Sequence, residues 1–205
     1  MTGQRCQQFK VIKAIEPYST ITLDQRDWIA LPAPGHDPDA FMYFQAESAV
    51  LISGDALWES RLAINFPELL GDSGFLPAAQ ALDIIEEIKP NCVIPGHGSP
   101  FTDVAGAVRV SRERLLRFAA EPEIHRRHAA RALTMFHMLE RQALGAPKPV
   151  HALSAWLART PIFSRIFSKL DAEPSSIEEF AAETIDRLVV DRVLLRSAHK
   201  ELLIA

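Results

Sequence analysis

The 205-residue chain is 48% apolar and 23% charged with a net charge of −4, the make-up of a folded globular protein rather than a disordered or fibrous one. No apolar run approaches the roughly 18 residues of a membrane-spanning helix, and the opening MTGQRCQQFK holds no apolar stretch of a signal peptide. A cytoplasmic location with no membrane partner is therefore expected. Cys6 and Cys92 are too few and too far apart for a disulfide framework. Cys92, inside NCVIP, is expected to pack as a small hydrophobe.

The length allows one good-sized domain or two small ones. Charge is unevenly spread. Residues 1–105 hold 6 Lys and Arg against 14 Asp and Glu, whereas 106–205 hold 16 against 12. That asymmetry suggests two modules, 1–105 and 106–205. The excess of four positive charges in the second falls well short of a nucleic-acid-binding fingerprint, so nucleic acid is not an expected partner.

In chain order, FKVIKAI (9–15), TITL (20–23), DWIALPA (27–33), FMYFQAE (41–47) and AVLISGD (49–55) read as strands. Each is a β-branched or aromatic run bounded by Pro, Gly or Asp. The last two lie close enough for a hairpin. AAQALDIIEEIK (78–89) places Leu82, Ile85 and Ile88 at helical spacing, and Pro90 stops it. CVI (92–94) is the next strand. Strand, helix and strand in that order give an α/β fold.

From Thr102 and Asp103, both good N-caps, the pattern turns helical. A first helix reaches about Ala120. Pro122 suits the first turn of the next, 123–144, with an apolar stripe of Ile124, Ala132, Leu133, Phe136, Leu139 and Ala143. GAPKP (145–149) is a turn or short linker. Helices over 150–158 and 162–170 follow. Ser175-x-x-Glu178 and Ser176-x-x-Glu179 are overlapping capping boxes for a helix through about Leu188. RVLLRSAHKELLI reads as a terminal hairpin around Ser197–Lys200.

Three of the strands share one ending. WIALPAPGH36, VLISGD55 and NCVIPGH97 each run from an apolar strand into a small-residue turn that delivers one side chain. His, Asp and His are donors suited to zinc or another transition ion, and open α/β sheets place their sites outside the carboxyl ends of strands. The order PGH, SGDALW, IPGHG resembles the second half of the metallo-β-lactamase-fold hydrolases, of the glyoxalase II-like kind, over roughly Phe9 to Val104. The resemblance implies that His36 serves one metal, Asp55 bridges two and acts in catalysis, and His97 serves the second. It also implies zinc, one or two ions, and a bridging water or hydroxide as nucleophile.

The family's H-x-H-x-D-H run is missing: no two of His36, His97, His125, His128, His137, His151 and His199 lie two apart. The chain therefore reads as the C-terminal half of an αββα sandwich followed by a helical, winged-helix-like region. On this reading zinc is held weakly or not at all by the chain alone, and the uncovered sheet favours homo-oligomers. Two functions stay open. One is a metal-dependent hydrolase of a small-molecule ester, thioester or related acyl bond, incomplete as it stands. The other is a catalytically silent remnant or interaction module whose tail binds a partner or nucleic acid.

Several further residues have competing readings. Asp37 and Asp39 follow the PGH turn and are read as solvated turn residues, with partners hydrogen-bonded behind the site residues as the alternative. Trp58 packs over the site or into the core. His125 and His128 sit beside Arg126, Arg127 and Arg131 on one helix, read as a solvated basic face, with phosphate contact as the sharper alternative.

Overall fold

The computed structural model describes residues 8–143, 148–171, 174–197 and 201–205. They fall into two compact units, one of Phe9–Ala120 and the other of Glu121–Ala205 together with Gln8.

The first unit is built on a five-stranded sheet in the order β1-β2-β3-β4-β5. Its strands are β1 (Thr20–Leu23), β2 (Arg26–Pro32), β3 (Phe41–Gln45), β4 (Val50–Gly54) and β5 (Cys92–Pro95). β1 and β2 form a hairpin with Leu23 opposite Arg26. Both residues of its turn, Asp24 and Gln25, have positive φ, the backbone twist that a two-residue hairpin requires. β2 and β4 each run antiparallel to β3, and β5 runs parallel to β4. The carboxyl ends of β2, β4 and β5 consequently lie at one end of the sheet.

Between β4 and β5 come α1 (Phe66–Leu70) and α2 (Phe75–Ile88), and after β5 comes α3 (Val104–Ala120). Glu68 of α1 accepts from the Gly74 and Phe75 amides at 2.8 and 2.9 Å, satisfying two donors that the first turn of α2 leaves open. Asp103 does the same for α3 through the Gly106 amide at 3.0 Å. α2 and α3 pack together, with Phe75 and Phe118 6.4 Å apart and Arg112 of α3 paired to Asp83 and Glu86 of α2. Met42, Leu51 and Val93 from the sheet, Leu82 and Ile85 from α2, and Val108 and Leu115 from α3 are buried.

FKVIKAI is not a strand: residues 9–15 join no ladder, and Phe9 and Ile12 are 74% and 95% exposed. β-Branched composition favours a pleated surface, but only a partner strand makes one.

The second unit contains α4 (Pro122–Ala143), β6 (Lys148–Pro149), α5 (Val150–Arg159), α6 (Pro161–Phe167), α7 (Ile177–Val190), β7 (Leu194–Arg196) and β8 (Glu201–Ile204). Its sheet has the order β6-β8-β7, antiparallel throughout. The terminal hairpin is present, with its tip at 198–200 outside the described residues, as is most of GAPKP. Ser176 caps α7 by accepting from the Glu179 amide at 3.1 Å, while the Glu179 carboxylate accepts from the Ser175 amide at 2.9 Å. Phe163 and Phe180 stack at 4.8 Å in the core of this unit.

The buried face of α4 is rotated from the expected stripe. It consists of His125, Ala129, Ala130, Leu133, Thr134, His137 and Met138, while Leu139 is exposed. Small residues let neighbouring elements approach, and Thr134 satisfies its hydroxyl on the Ala130 carbonyl at 2.8 Å. Bulk along the helix is thus a poor guide to which face is inside.

Among the described residues, no helix is long and apolar enough to cross a membrane.

Candidate metal centre

Each of the three strand-end side chains is placed by local backbone chemistry. Beyond β2 the chain passes Ala33 and Pro34 to Gly35, whose φ of 146° lies in the region that glycine alone enters freely. Gly35 also backs onto α2, where a Cβ would fall 2.7 Å from that of Ala78. The loop closes through the Ala33 amide donating to the Ala40 carbonyl at 2.8 Å. Asp37 accepts from the Asp39 amide at 2.9 Å, which makes it an Asx-turn residue, and both acids are exposed.

His36 is then held on three sides. Its Nδ1 lies 2.7 Å from the Ile64 carbonyl oxygen, its own carbonyl accepts from the Phe66 amide at 3.3 Å, and its ring meets that of Phe66 edge-on at 5.1 Å. A carbonyl oxygen only accepts, so Nδ1 carries a proton and Nε2 is directed at Asp55. Metal-ligating histidines are oriented in the same way.

Asp55 follows Gly54, whose φ is 54°. The turn is braced by the buried Ser53 hydroxyl donating to the Leu57 carbonyl at 2.8 Å. The Gly96 amide donates to the Gly54 carbonyl at 2.7 Å, which ties the ends of β4 and β5 together. A Cβ on Gly96 would sit 2.7 Å from Asp55 Oδ1, so only glycine leaves room for the carboxylate. His97 comes next and then Gly98, at φ 100°.

The outcome is a carboxylate between two imidazoles. His36 Nε2 stands 3.4 Å from Asp55 Oδ2, and His97 Nε2 stands 3.8 Å from Asp55 Oδ1. All three side chains singled out in the sequence are brought together. Tetrahedral coordination with legs of about 2.0–2.1 Å separates two donor atoms by about 3.3 Å, so the His36–Asp55 spacing suits a shared cation. Yet among the described residues no group of three or more His, Cys, Asp or Glu surrounds a single point. The two findings agree once the oxygens are distinguished. Each imidazole addresses its own oxygen of Asp55, so the three side chains form two pairs rather than one group of three.

Two further residues touch this cluster. Trp58, for which the sequence left packing over the site and packing into the core both open, lies at the site. It donates from Nε1 to Asp55 Oδ1 at 3.0 Å and meets the His97 ring edge-on at 5.2 Å. Asn65, buried, has its amide nitrogen 2.7 Å from the Gly35 carbonyl and 3.1 Å from that of Gly74, once that nitrogen is turned toward them. It ties the His36 turn to the start of α2. Sequence reasoning missed Asn65, for which a polar residue inside the apolar run LAINFP was the only signal.

The remaining histidines belong to the second unit's part of the chain. His125 is 2% exposed, a correction to the solvated face expected there, and burial depresses its pKa to about 3, with His128 and Arg126 adding to the effect. His137 stacks on Trp156 at 3.6 Å, His151 is exposed, and His199 is outside the described residues. The α4 arginines are matched by carboxylates of their own unit: Arg126 by Asp171, Arg127 by Glu123 and Glu183, and Arg131 by Asp191. Cys92 is half-buried rather than sealed in the core.

Residues 5–97 match the sequence profile of the Metallo-beta-lactamase superfamily. Comparison with curated protein sequences gives no match. Among solved structures, a metallo-beta-lactamase family protein from Thermus thermophilus is similar at 18% identity and a TM-score of 0.41, over 93% of this chain and 54% of that one. A beta-lactamase domain protein from Burkholderia ambifaria is similar at 17% identity and a TM-score of 0.42, over 94% and 52%. TTHA1623, in a di-iron-bound form, is similar at 21% identity and a TM-score of 0.42, over 52% and 50%. This chain spans about half the length of the first two. Residues 5–97, the part of the chain that matches the metallo-β-lactamase superfamily, contain His36, Asp55 and His97.

Proposed function

We propose that this chain carries part of the metal centre of a metal-dependent hydrolase, with His36, Asp55 and His97 as the side chains that hold the cation. The observation that carries the reading is the position of the Asp55 carboxylate, with one oxygen 3.4 Å from His36 Nε2 and the other 3.8 Å from His97 Nε2. With Nδ1 committed to the Ile64 carbonyl, Nε2 is the His36 nitrogen that faces Oδ2, a nitrogen and an oxygen donor spaced to share a cation, and a carboxylate has oxygens enough for two cations.

Nitrogen and carboxylate donors suit zinc, and iron or manganese equally; zinc is the proposed ion. The chemistry such a dication supplies is Lewis acidity and the acidification of water from a pKa of about 15.7 to about 7. The chain's own residues orient and confine. Ile64 fixes the His36 tautomer, the Gly96–Gly54 hydrogen bond holds His97 beside Asp55, and Phe66 and Trp58 flank the two imidazoles with apolar surface. Two donors per pair leave further coordination positions to other donors, water among them, so weak retention of metal is the corollary. The proposed substrates are small molecules with an ester, thioester or related acyl bond.

The second unit, with the order helix, strand, three helices and a terminal hairpin, is proposed as winged-helix-like. The ion pairs of Arg126, Arg127 and Arg131 support a packing role for that helix over one in nucleic-acid binding.

A direct test is hydrolysis of a panel of acyl esters and thioesters with added zinc, comparing wild type with Asp55→Ala. Zinc-dependent turnover lost in Asp55→Ala supports the assignment. Turnover unchanged by that substitution would remove the site from the reaction.

A further inference from the structure

Asp55 has more than two neighbours to satisfy. Oδ2 faces His36, whereas Oδ1 faces His97 and also accepts from Trp58 Nε1 at 3.0 Å. A carboxylate on a glycine-preceded turn can spin about its terminal torsion, which is broad and roughly two-fold. Spun by a quarter turn, Asp55 would present its two oxygens to neither histidine in this way. The indole N–H fixes that torsion, because it is a directional donor of which only one oxygen can be the partner. Gly96, where an added Cβ would stand 2.7 Å from Oδ1, brings backbone close to the same oxygen.

The same side chain also touches the neighbouring imidazole. The Trp58 and His97 rings meet edge-to-face at 5.2 Å with an interplanar angle of 81°, an arrangement favoured by the aromatic quadrupole. His97 sits between two glycines, and its side chain is 52% exposed, so a ring laid against it restricts the rotations that solvent would otherwise allow. Trp58 is three residues beyond Asp55 on the same turn and is half-buried. One side chain thus braces both the carboxylate and the more exposed histidine.

We propose that Trp58 is the positioning residue of this centre: its N–H orients the Asp55 carboxylate so that each histidine receives one oxygen, and its ring holds His97 in place. This rests on the metal-centre reading above and extends it to a residue that binds no cation itself. Hydrogen-bonding partners behind metal ligands commonly contribute a factor of about 10–100 in metal affinity, and Trp58 falls in that class.

The test uses Trp58→Phe, which keeps an aromatic ring near His97 and deletes the N–H. Zinc affinity is measured by calorimetry with a competing chelator, alongside the thermal melt of each protein. The indole N–H resonance of Trp58 is followed by NMR in wild type and in Asp55→Asn, without metal. The expected result is a zinc affinity about 10–100-fold weaker in Trp58→Phe with an unchanged melt. The wild-type indole proton should be shifted downfield and should move in Asp55→Asn. Equal zinc affinities in wild type and Trp58→Phe would overturn the proposal, as would an indole resonance indifferent to Asp55→Asn. If wild type takes up no zinc while the indole responds to Asp55→Asn, the metal-centre reading fails and the clamp on Asp55 stands.

Discussion

His36 and Asp55 face each other across 3.4 Å, Nε2 to Oδ2, with the histidine's other nitrogen already committed to the Ile64 carbonyl. The corresponding His97–Asp55 distance is longer, 3.8 Å, and the His97 side chain is about twice as exposed, 52% against 27%. The two histidines are therefore unequally placed about Asp55. His36→Ala should lower zinc affinity at least about tenfold more than His97→Ala, the scale of effect that ligand orientation commonly carries. Chelator competition on both variants measures it.

Gly96 leaves no room for a side chain beside Asp55. A Cβ there would stand 2.7 Å from Asp55 Oδ1 and 3.1 Å from the Gly54 backbone, and backbone cannot give way as a flexible side chain does. Gly96→Ala should destabilise the first unit by about 1–3 kcal/mol, as overpacking does, and should displace Asp55. Chemical denaturation, together with loss of zinc binding, checks both parts.

Asn65 joins the His36 turn to α2 through the Gly35 and Gly74 carbonyls. Asn65→Ala leaves these acceptors without that donor at a buried position, at a cost of about 1–3 kcal/mol. Asn65→Asp should be worse, since a carboxylate cannot donate to either carbonyl. Urea denaturation of the two variants gives the order.

The second unit should have an acid limb set by His125. Burial holds its folded pKa near 3, below the ordinary 6.5, with His128 and Arg126 as lesser causes. Unfolded chains take up that proton below about 6.5 and folded ones do not. Stability is therefore full above that pH and declines as pH falls from 6.5 toward 3, by at most about 1.4 kcal/mol per pH unit for one proton. His125→Leu should flatten the decline in a pH series of thermal melts, whereas an unchanged slope would assign it to carboxylates.

The three turns that bring His36, Asp55 and His97 together were legible because each combines two signals that sequence displays well, a short apolar strand and a small-residue turn. The sheet direction that unites them was also implicit in the hairpin and the α2 crossover. What could not be read is what other elements impose. The two-residue strand Lys148–Pro149 exists only through its register with Glu201 and Leu202. α1 is five residues long and rests on Pro67 and the Gly71 cap, too brief to show a period. His125 looked solvated among arginines, but the helix face that turned inward was chosen by small neighbours rather than by bulk. Trp58 and Asn65 act through contacts at 3.0 and 2.7 Å, and no spacing in the chain announces them.

The central claim is that Asp55 shares cations with His36 on one oxygen and His97 on the other, and zinc titration of wild type against Asp55→Ala tests it most directly. Calorimetry should show saturable binding in wild type that exhaustive dialysis strips to well under one metal per chain, and no such binding in Asp55→Ala. Zinc binding of equal stoichiometry and affinity in the two proteins would contradict the account.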